Sequence, residues 1–305
     1  MESTELFATY SIVAADADEI GVAVQTHQMC VGAVVPWVEA GVGAVATQSL
    51  TNVRFGPSGL TLLRHGVTPE GVVEALVATD PEAQRRQFAV IDASGTAAAF
   101  TGDGCIREAS HRTGSGFSVQ ANMMYTTTVV DAMASAFEKS NGPLAARMMQ
   151  ALRAAQENAG DIRGMQSAAL VTAPALQPVK PWQREIDLRV DESDNPLDEL
   201  DRLVRLKQAQ AIDRRGHAAL GEGETEKAQA RFDEARTMAP ELEEMGFWQA
   251  VTLADRDPKA IEAARAILKG SIAGDPAEKQ WLELIDRLEQ CGLLRTDRLR
   301  DKLQY

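Results

Sequence analysis

The first half of the chain alternates short apolar runs with polar turns, which is the pattern of β-hairpins. Residues 9–15 and 20–25 flank the polar turn 16–19, and residues 86–91 and 96–101 flank a turn with Asp92 and Gly95. The runs show little polar alternation, so we expect the sheet to be covered on both faces. Further strands are predicted at residues 31–35, 42–47, 117–120, 166–172 and 185–190, with a glycine-rich loop over 102–116.

Helices are predicted on both sides of the central strands, at residues 58–65, from Thr68 onward, at 129–139 and at 144–158. Thr68 can cap the second of these helices, and Pro69 suits its first turn. This element order favours an α+β domain in which helices enclose two stacked sheets. We expect that domain to occupy residues 1–193.

From Pro196 onward the composition changes to Ala, Leu, Glu, Arg and Gln, which predicts an all-α region at residues 194–305. A weak internal repeat is present, in which Pro240 is mirrored by Pro276. Its period is close to the roughly 34 residues of tetratricopeptide helical hairpins. We therefore expect a small tetratricopeptide-like domain after residue 193.

Charge excludes one class of partner. The 305 residues carry a formal net charge of -13, and no lysine precedes Lys139, so a nucleic-acid phosphate backbone would be repelled.

The three cysteines are widely spread and odd in number, which predicts no disulfide framework. The first ten residues have no signal-peptide pattern, and no apolar run approaches the ~20 residues of a membrane span. We expect a cytoplasmic protein with no membrane partner.

Six short motifs follow one another along the chain: TYSIVA at 9–14, GAVVP at 32–36, GVGAVATQ at 41–48, FTG at 100–102, QANM at 120–123 and GDIRGMQSAA at 160–169. In this joint order they resemble the bacterial domain of unknown function 1028, from about Thr9 to about Asp194. The resemblance implies a four-layer αββα sandwich similar to that of the N-terminal-nucleophile hydrolases. It implies no established activity.

The resemblance places Thr9, at the start of the first long strand, in the position of the catalytic nucleophile. In such enzymes the free α-amine of the nucleophile serves as general base toward its own side-chain oxygen. Ser11 is the second candidate, because it lies on the same strand face as Thr9. Catalysis by Thr9 requires that the bond between Ala8 and Thr9 be cut, which would remove residues 1–8. The alternative is a strand hydroxyl that only bonds to its neighbours.

Amide hydrolysis also needs hydrogen-bond donors for the developing oxyanion. Uncharged amides at predicted strand ends supply the candidates: Gln48, Asn52, Gln120 and Asn122. Asp161 and Arg163 can orient a substrate carboxylate through the guanidinium fork. Each of these residues also has a structural interpretation, as a loop-supporting amide or as an ion pair that stabilises a turn. The Cys and His spacings form no zinc pattern, and we expect neither a metal nor a cofactor.

Two functions fit these residues. One is an N-terminal-nucleophile amidohydrolase that acts on a small amide or acylated amino compound. The other is a non-catalytic binding or scaffold protein that uses the helical tail to recruit a protein or peptide. In either case we expect self-association into a homo-oligomer, because the predicted helices 129–139 and 144–158 can present an apolar face.

Overall fold

The computed structural model describes residues 6–7, 9–176 and 179–304. The chain divides into two compact units, Met1–Val204 and Arg205–Tyr305. The first unit contains two antiparallel sheets with helices, which confirms the predicted α+β class, and the second is helical. The predicted domain boundary after residue 193 lies just ahead of the helix Pro196–Gly221, which begins in the first unit and ends in the second.

The strands, in chain order, are β1 (Leu6–Phe7), β2 (Thr9–Ala15), β3 (Glu19–Thr26), β4 (Pro36–Glu39), β5 (Gly43–Leu50), β6 (Arg86–Asp92), β7 (Ala97–Thr101), β8 (Ser110–Gly114), β9 (Phe117–Asn122), β10 (Ser167–Pro174) and β11 (Ile186–Val190). The first sheet has the order β1-β5-β6-β7, and β4 also pairs with β5. The second sheet has the order β11-β10-β3-β2-β9-β8. Neighbouring strands in both sheets run antiparallel.

The helices of the first unit are α1 (Phe55–Arg64), α2 (Pro69–Thr79), α3 (Val129–Lys139), α4 (Leu144–Glu157) and the start of α5 (Pro196–Gly221). Helices α1 and α2 pack on the outer face of the first sheet, around Phe55 and Phe88. Helices α3 and α4 pack on the outer face of the second sheet, around Phe117 and Phe137. A third apolar core, built largely from Val, Ala and Ile, joins the inner faces of the two sheets.

Strand β2 shows why the alternation of polar and apolar residues is weak. All seven of its residues are buried. Ile12 faces the helices and Val13 faces the other sheet, so both faces of the strand require apolar or fully bonded side chains. The same strand places Thr9 and Ser11 on the inner face, because side chains two residues apart lie on the same side.

Two local predictions are confirmed. Asp16 Oδ1 accepts hydrogen bonds from the backbone N–H groups of Asp18 at 3.0 Å and Glu19 at 2.9 Å, which is the expected Asx-type turn between β2 and β3. Thr68 Oγ1 accepts from Gly71 N at 3.3 Å and caps α2, with Pro69 as its first residue.

Two other local predictions are wrong. Residues 31–35 do not form a strand, because Cys30 has a left-handed backbone (φ 61°) and Val31–Ala33 form a 3-10 turn that Ser167 Oγ holds through Val31 N. Strand β4 begins only at Pro36, where a missing N–H is tolerated at an edge. The predicted loop 102–116 contains strand β8, whose polar sequence SHRTG gives no strand signal.

The second unit contains the end of α5 and the helices α6 (Thr225–Met238), α7 (Glu243–Arg256), α8 (Ile261–Ile272), α9 (Glu278–Gln290) and α10 (Leu299–Leu303). Its main core includes the fully buried side chains Phe232, Phe247 and Leu268. Within the described part of the chain, no helix combines the length and the apolarity that crossing a bilayer requires.

Candidate active site

A group of buried polar side chains lies between the inner faces of the two sheets, next to the apolar core. We call it the amide cluster and define it as Ser11, Gln48, Gln87, Gln120 and Asn122. Each of these residues is at most 1% exposed. The strands bring them together because β5 and β6 of one sheet face β2 and β9 of the other. Three of the four amides expected from the sequence are therefore brought together, and Asn52 is not.

Ser11 occupies the centre of one half of the cluster. Its hydroxyl donates to Gln48 Oε1 at 2.6 Å and accepts from Gln120 Nε2 at 2.5 Å. Gln120 Oε1 in turn accepts from Ser118 Oγ at 3.2 Å. The Ser11 proton is thus held by an amide oxygen, which is too weak a base to activate a hydroxyl for attack.

Gln87 is the centre of the other half, and it is not among the site residues expected from the sequence. Its Nε2, with two hydrogens, lies within hydrogen-bond distance of three acceptors, Thr101 Oγ1 at 2.9 Å, Ser110 O at 3.2 Å and Ala121 O at 2.9 Å. Its Oε1 accepts from Gln48 Nε2 at 2.7 Å and from Asn122 Nδ2 at 3.0 Å. The one available signal was a glutamine directly before the apolar run Phe88–Ile91, a position that the strand buries.

Thr9 lies at the end of β2 beside this cluster. It is fully buried, and its hydroxyl donates to Thr26 Oγ1 at 3.3 Å. Gln48 Nε2 lies 3.2 Å from the Thr9 carbonyl oxygen, and Asn122 is directly opposite Thr9 in the β2–β9 register. The two candidate hydroxyls, Thr9 and Ser11, therefore share one polar environment without a charged group among their described hydrogen-bond partners.

The segment ahead of Thr9 belongs partly to the other sheet. Leu6–Phe7 forms β1 and pairs with Leu50 and Ser49 of β5, whereas Thr9 begins β2. The predicted cleavage between Ala8 and Thr9 lies outside the described residues, as do residues 1–5.

Asn52 has a different environment from the cluster. Its Nδ2 donates to Asp80 Oδ2 at 2.9 Å, and its Oδ1 accepts from Arg54 N at 3.2 Å. The chain turns away at Ser49, which has a φ of 67°, so Asn52 supports the loop before α1. Burial alone would raise the pKa of Asp80, but hydrogen bonds from Arg86 and Asn52 outweigh that effect and lower it.

Asp161 and Arg163 form a separate group at a tight turn. Asp161 is 3% exposed and accepts from His27 N at 3.2 Å, Arg163 N at 2.9 Å and the Arg163 guanidinium at 3.0 Å. Burial and the nearby Asp161 carboxylate raise the pKa of Tyr10, whose side chain points to the helix face of β2. Asp161 and Arg163 thus form an ion pair within the turn, and their role toward a substrate carboxylate stays a prediction.

A polar chain connects the cluster to the surface. His111 Nδ1 lies 2.9 Å from Thr101 Oγ1, which in turn lies 2.9 Å from Gln87 Nε2. His111 and Thr101 line an open groove of about 580 Å³ together with Cys105. Although His111 has exposed surface, desolvation of its imidazole lowers its pKa, so the ring resists protonation. Burial also raises the pKa of Cys105, whose Sγ lies 3.4 Å from Ser49 Oγ, so this thiol resists ionisation.

Over most of its first unit the chain matches a protein family of unknown function. The family model described as "Family of unknown function (DUF1028)" matches residues 9–200. The chain is also similar to the crystal structure of a DUF1028 protein, SPO2555 from Silicibacter pomeroyi. The two sequences are 32% identical, the match covers 65% of this chain and 88% of the other, and the TM-score is 0.58. No curated protein matches the chain.

Proposed function

Because the chain belongs to DUF1028, a family of unknown function, we propose an activity from the amide cluster itself: hydrolysis of a small amide with Thr9 as nucleophile. The order of layers, with helices outside two facing sheets, supports a fold of the N-terminal-nucleophile type. The observation that carries the proposal is the position of Thr9, a buried hydroxyl at the first residue of β2 beside uncharged amide donors.

The proposed chemistry needs a free α-amine on Thr9. Attack of Thr9 Oγ1 on the Ala8 carbonyl carbon forms an ester and breaks the bond from that carbon to Thr9 N, which takes the Oγ1 proton. Water then hydrolyses the ester and releases residues 1–8 with a free carboxylate. The amine that results accepts the Oγ1 proton when Oγ1 attacks the carbonyl carbon of a substrate amide. The same proton passes to the leaving nitrogen, and a water molecule hydrolyses the acyl ester to regenerate Thr9.

Gln48 is the best-placed donor for the oxyanion of that reaction. Its Nε2 carries two hydrogens but lies within hydrogen-bond distance of three acceptors, Thr9 O at 3.2 Å, Gln87 Oε1 at 2.7 Å and Gln120 O at 3.4 Å. The contacts to Thr9 O and Gln120 O are the longest, so the N–H directed at them can turn toward a new oxygen while the other keeps its bond to Gln87 Oε1. Ser11 suits a positioning role, because its two hydrogen bonds fix Gln48 and Gln120.

Removal of residues 1–8 also explains how a substrate reaches Thr9, which is closed off from solvent in this structure. Thr9 has no exposed surface while residues 6–7 pair with the edge of β5, beside Gln48. Loss of that strand exposes the edge of β5 at the end of the amide cluster. The cluster has no charged member, so the substrate part that enters it is uncharged, as a small amide group is.

The test is turnover of a panel of small N-acyl compounds, measured as release of the free amine. We expect wild-type protein to hydrolyse at least one compound, Thr9→Ser to retain part of that rate, and Thr9→Ala to lose it. Thr47→Ala is the matched control, because Thr47 is a buried strand threonine on β5 that bonds to Asn52 O. Equal turnover by Thr9→Ala and wild type would disprove the mechanism.

A second candidate, a binding or scaffold function, is favoured by one observation: both Thr9 and Ser11 are fully buried and hydrogen-bonded. In that case the helices of the second unit carry the function as a tetratricopeptide-like module. A groove of about 560 Å³ in this unit is lined by α6, α7 and α8 and includes Ile267.

The test of this alternative is a peptide array probed with wild type and with Ile267→Glu. Binding that the substitution abolishes supports a recruitment function. An array without any bound peptide counts against it.

A further inference from the structure

One buried acceptor in the amide cluster has no hydrogen-bond partner among the described residues. It is Asn122 Oδ1, on a side chain that is 1% exposed. Buried polar atoms nearly always have a partner, and an unsatisfied one costs about 1–3 kcal/mol. The other end of the same side chain is satisfied, because Asn122 Nδ2 donates to Gln87 Oε1 at 3.0 Å.

The orientation of the Asn122 amide is fixed by backbone groups. Gln87 Nε2 donates to two carbonyl oxygens, Ser110 O and Ala121 O, which can only accept. Gln87 must therefore turn its Oε1 toward Asn122. In consequence Asn122 must present its NH₂ to Gln87, and its oxygen is left free. The unsatisfied atom is an acceptor, so an N–H or O–H group is needed to satisfy it.

Thr9 is the residue directly opposite Asn122 across β2 and β9. Opposed residues of antiparallel strands have Cβ atoms about 4.5–5.5 Å apart, and both side chains lie on the inner face. An amide nitrogen at Thr9 has one hydrogen, whereas an α-ammonium has three. Cutting the chain before Thr9 thus adds donors in a buried place, close to an acceptor that lacks one.

The titratable side chains near this end of the sheets contact groups other than Thr9. His27 Nδ1 lies 3.2 Å from Met165 O, and Asp161 bonds to Arg163. Cys105 contacts Ser49, and His111 contacts Thr101. The described hydrogen-bonding neighbours of Thr9 within the sheets are uncharged, so the free amine depends on neutral acceptors.

We infer that Asn122 is a positioning residue whose carboxamide oxygen accepts a hydrogen bond from the Thr9 α-amine and holds that amine beside Thr9 Oγ1. This inference rests on the proposed function. It differs from the oxyanion-donor role expected for Asn122 from the sequence, since the Nδ2 group that would donate is bonded to Gln87. The role predicts an effect on the basicity of one specific amine, which a purely structural role would leave unchanged.

The experiment is an NMR titration of the Thr9 α-amine in full-length protein labelled with ¹³C-threonine, followed through the Thr9 Cα chemical shift. Where the chain does not cut itself, a protease site placed directly before Thr9 supplies the new terminus. Asn122→Ala removes the acceptor and should lower the pKa of the amine by about 1. Asn122→Asp places a carboxylate there and should raise that pKa by about 1–3.

The matched control is Asn158→Asp, which adds the same charge at the end of α4, where Asn158 Oδ1 accepts from Thr128 Oγ1 at 2.6 Å. We expect this variant to keep the wild-type pKa. Identical pKa values in wild type and Asn122→Ala would overturn the inference, even if Asn122→Asp does not fold. The two proposals fail separately: a shifted pKa without turnover refutes the hydrolase alone, and turnover with an unshifted pKa refutes the role of Asn122 alone.

Discussion

Gln87 offers the most informative perturbation of the amide cluster. Gln87→Leu keeps the volume of the side chain but removes all of its hydrogen bonds. Asn122 Nδ2 then loses Gln87 Oε1, the acceptor that it has in the structure, whereas Gln48 Nε2 retains Thr9 O, and Thr101 retains His111. One fully buried donor is left unsatisfied, which costs about 1–3 kcal/mol.

The remaining contacts add to that cost. Each lost bond to Ser110 O and Ala121 O contributes about 0.5–1.5 kcal/mol, and the greater apolarity of leucine offsets part of the total. We expect the free energy of unfolding to fall by about 3 kcal/mol, with a decrease in Tm of about 6–12 °C. Urea unfolding, followed by tryptophan fluorescence and far-UV circular dichroism, measures the change.

Two further variants serve as controls for the Gln87→Leu measurement. Gln150→Leu replaces an exposed glutamine on α4 and should change the unfolding free energy by less than about 0.5 kcal/mol. The double variant Gln87→Leu/Asn122→Leu removes both partners of one bond, so it should be less costly than the sum of the two single changes. A Gln87→Leu protein as stable as the Gln150→Leu control would refute the described hydrogen-bond network.

Two other predictions concern ionisable groups of the first unit. Asp80→Asn should lower the unfolding free energy by about 3 kcal/mol, because the buried Arg86 loses the carboxylate 2.9 Å from its Nε and keeps the half-exposed Glu82 at 3.3 Å. Thermal denaturation at neutral pH measures this change. Desolvation of the imidazole lowers the pKa of His111, so the unfolded chain binds its proton more readily and stability falls as the pH drops below about 6.5. His111→Gln should remove part of that fall, and an unchanged difference between urea midpoints at about pH 7.5 and pH 5.5 would contradict the assignment.

The sequence predicted the class of fold and most strands because the apolar runs are long enough to define them. It could not predict the strand pairing that makes Gln87 part of the site. Gln48 and Gln87 are opposite each other in β5 and β6, and this register appears only once the sheet is formed. Asn52 is a candidate from the sequence because it is an uncharged amide just after a predicted strand, yet the left-handed turn at Ser49 directs it to Asp80.

The error at residues 31–35 has a similar origin. The run VGAVV has the composition of a strand, but Ser167 of a distant strand accepts the N–H of Val31 and stabilises a turn there. Strand β8 was missed for the opposite reason, since its side chains are mostly exposed and polar. Its pairing with β9 holds this segment in the extended conformation. Tertiary contacts determine the conformation of both segments, and these contacts cannot be read from the local sequence pattern.

The central claim is that Thr9 becomes the first residue of the working protein. Tandem mass spectrometry of the N-terminal peptide, on protein produced without an N-terminal tag, tests it most directly. We predict a peptide that begins at Thr9 in wild type and in Thr47→Ala, and one that still contains Glu2 to Ala8 in Thr9→Ala. Wild-type protein that keeps those residues while it hydrolyses an amide would contradict the account.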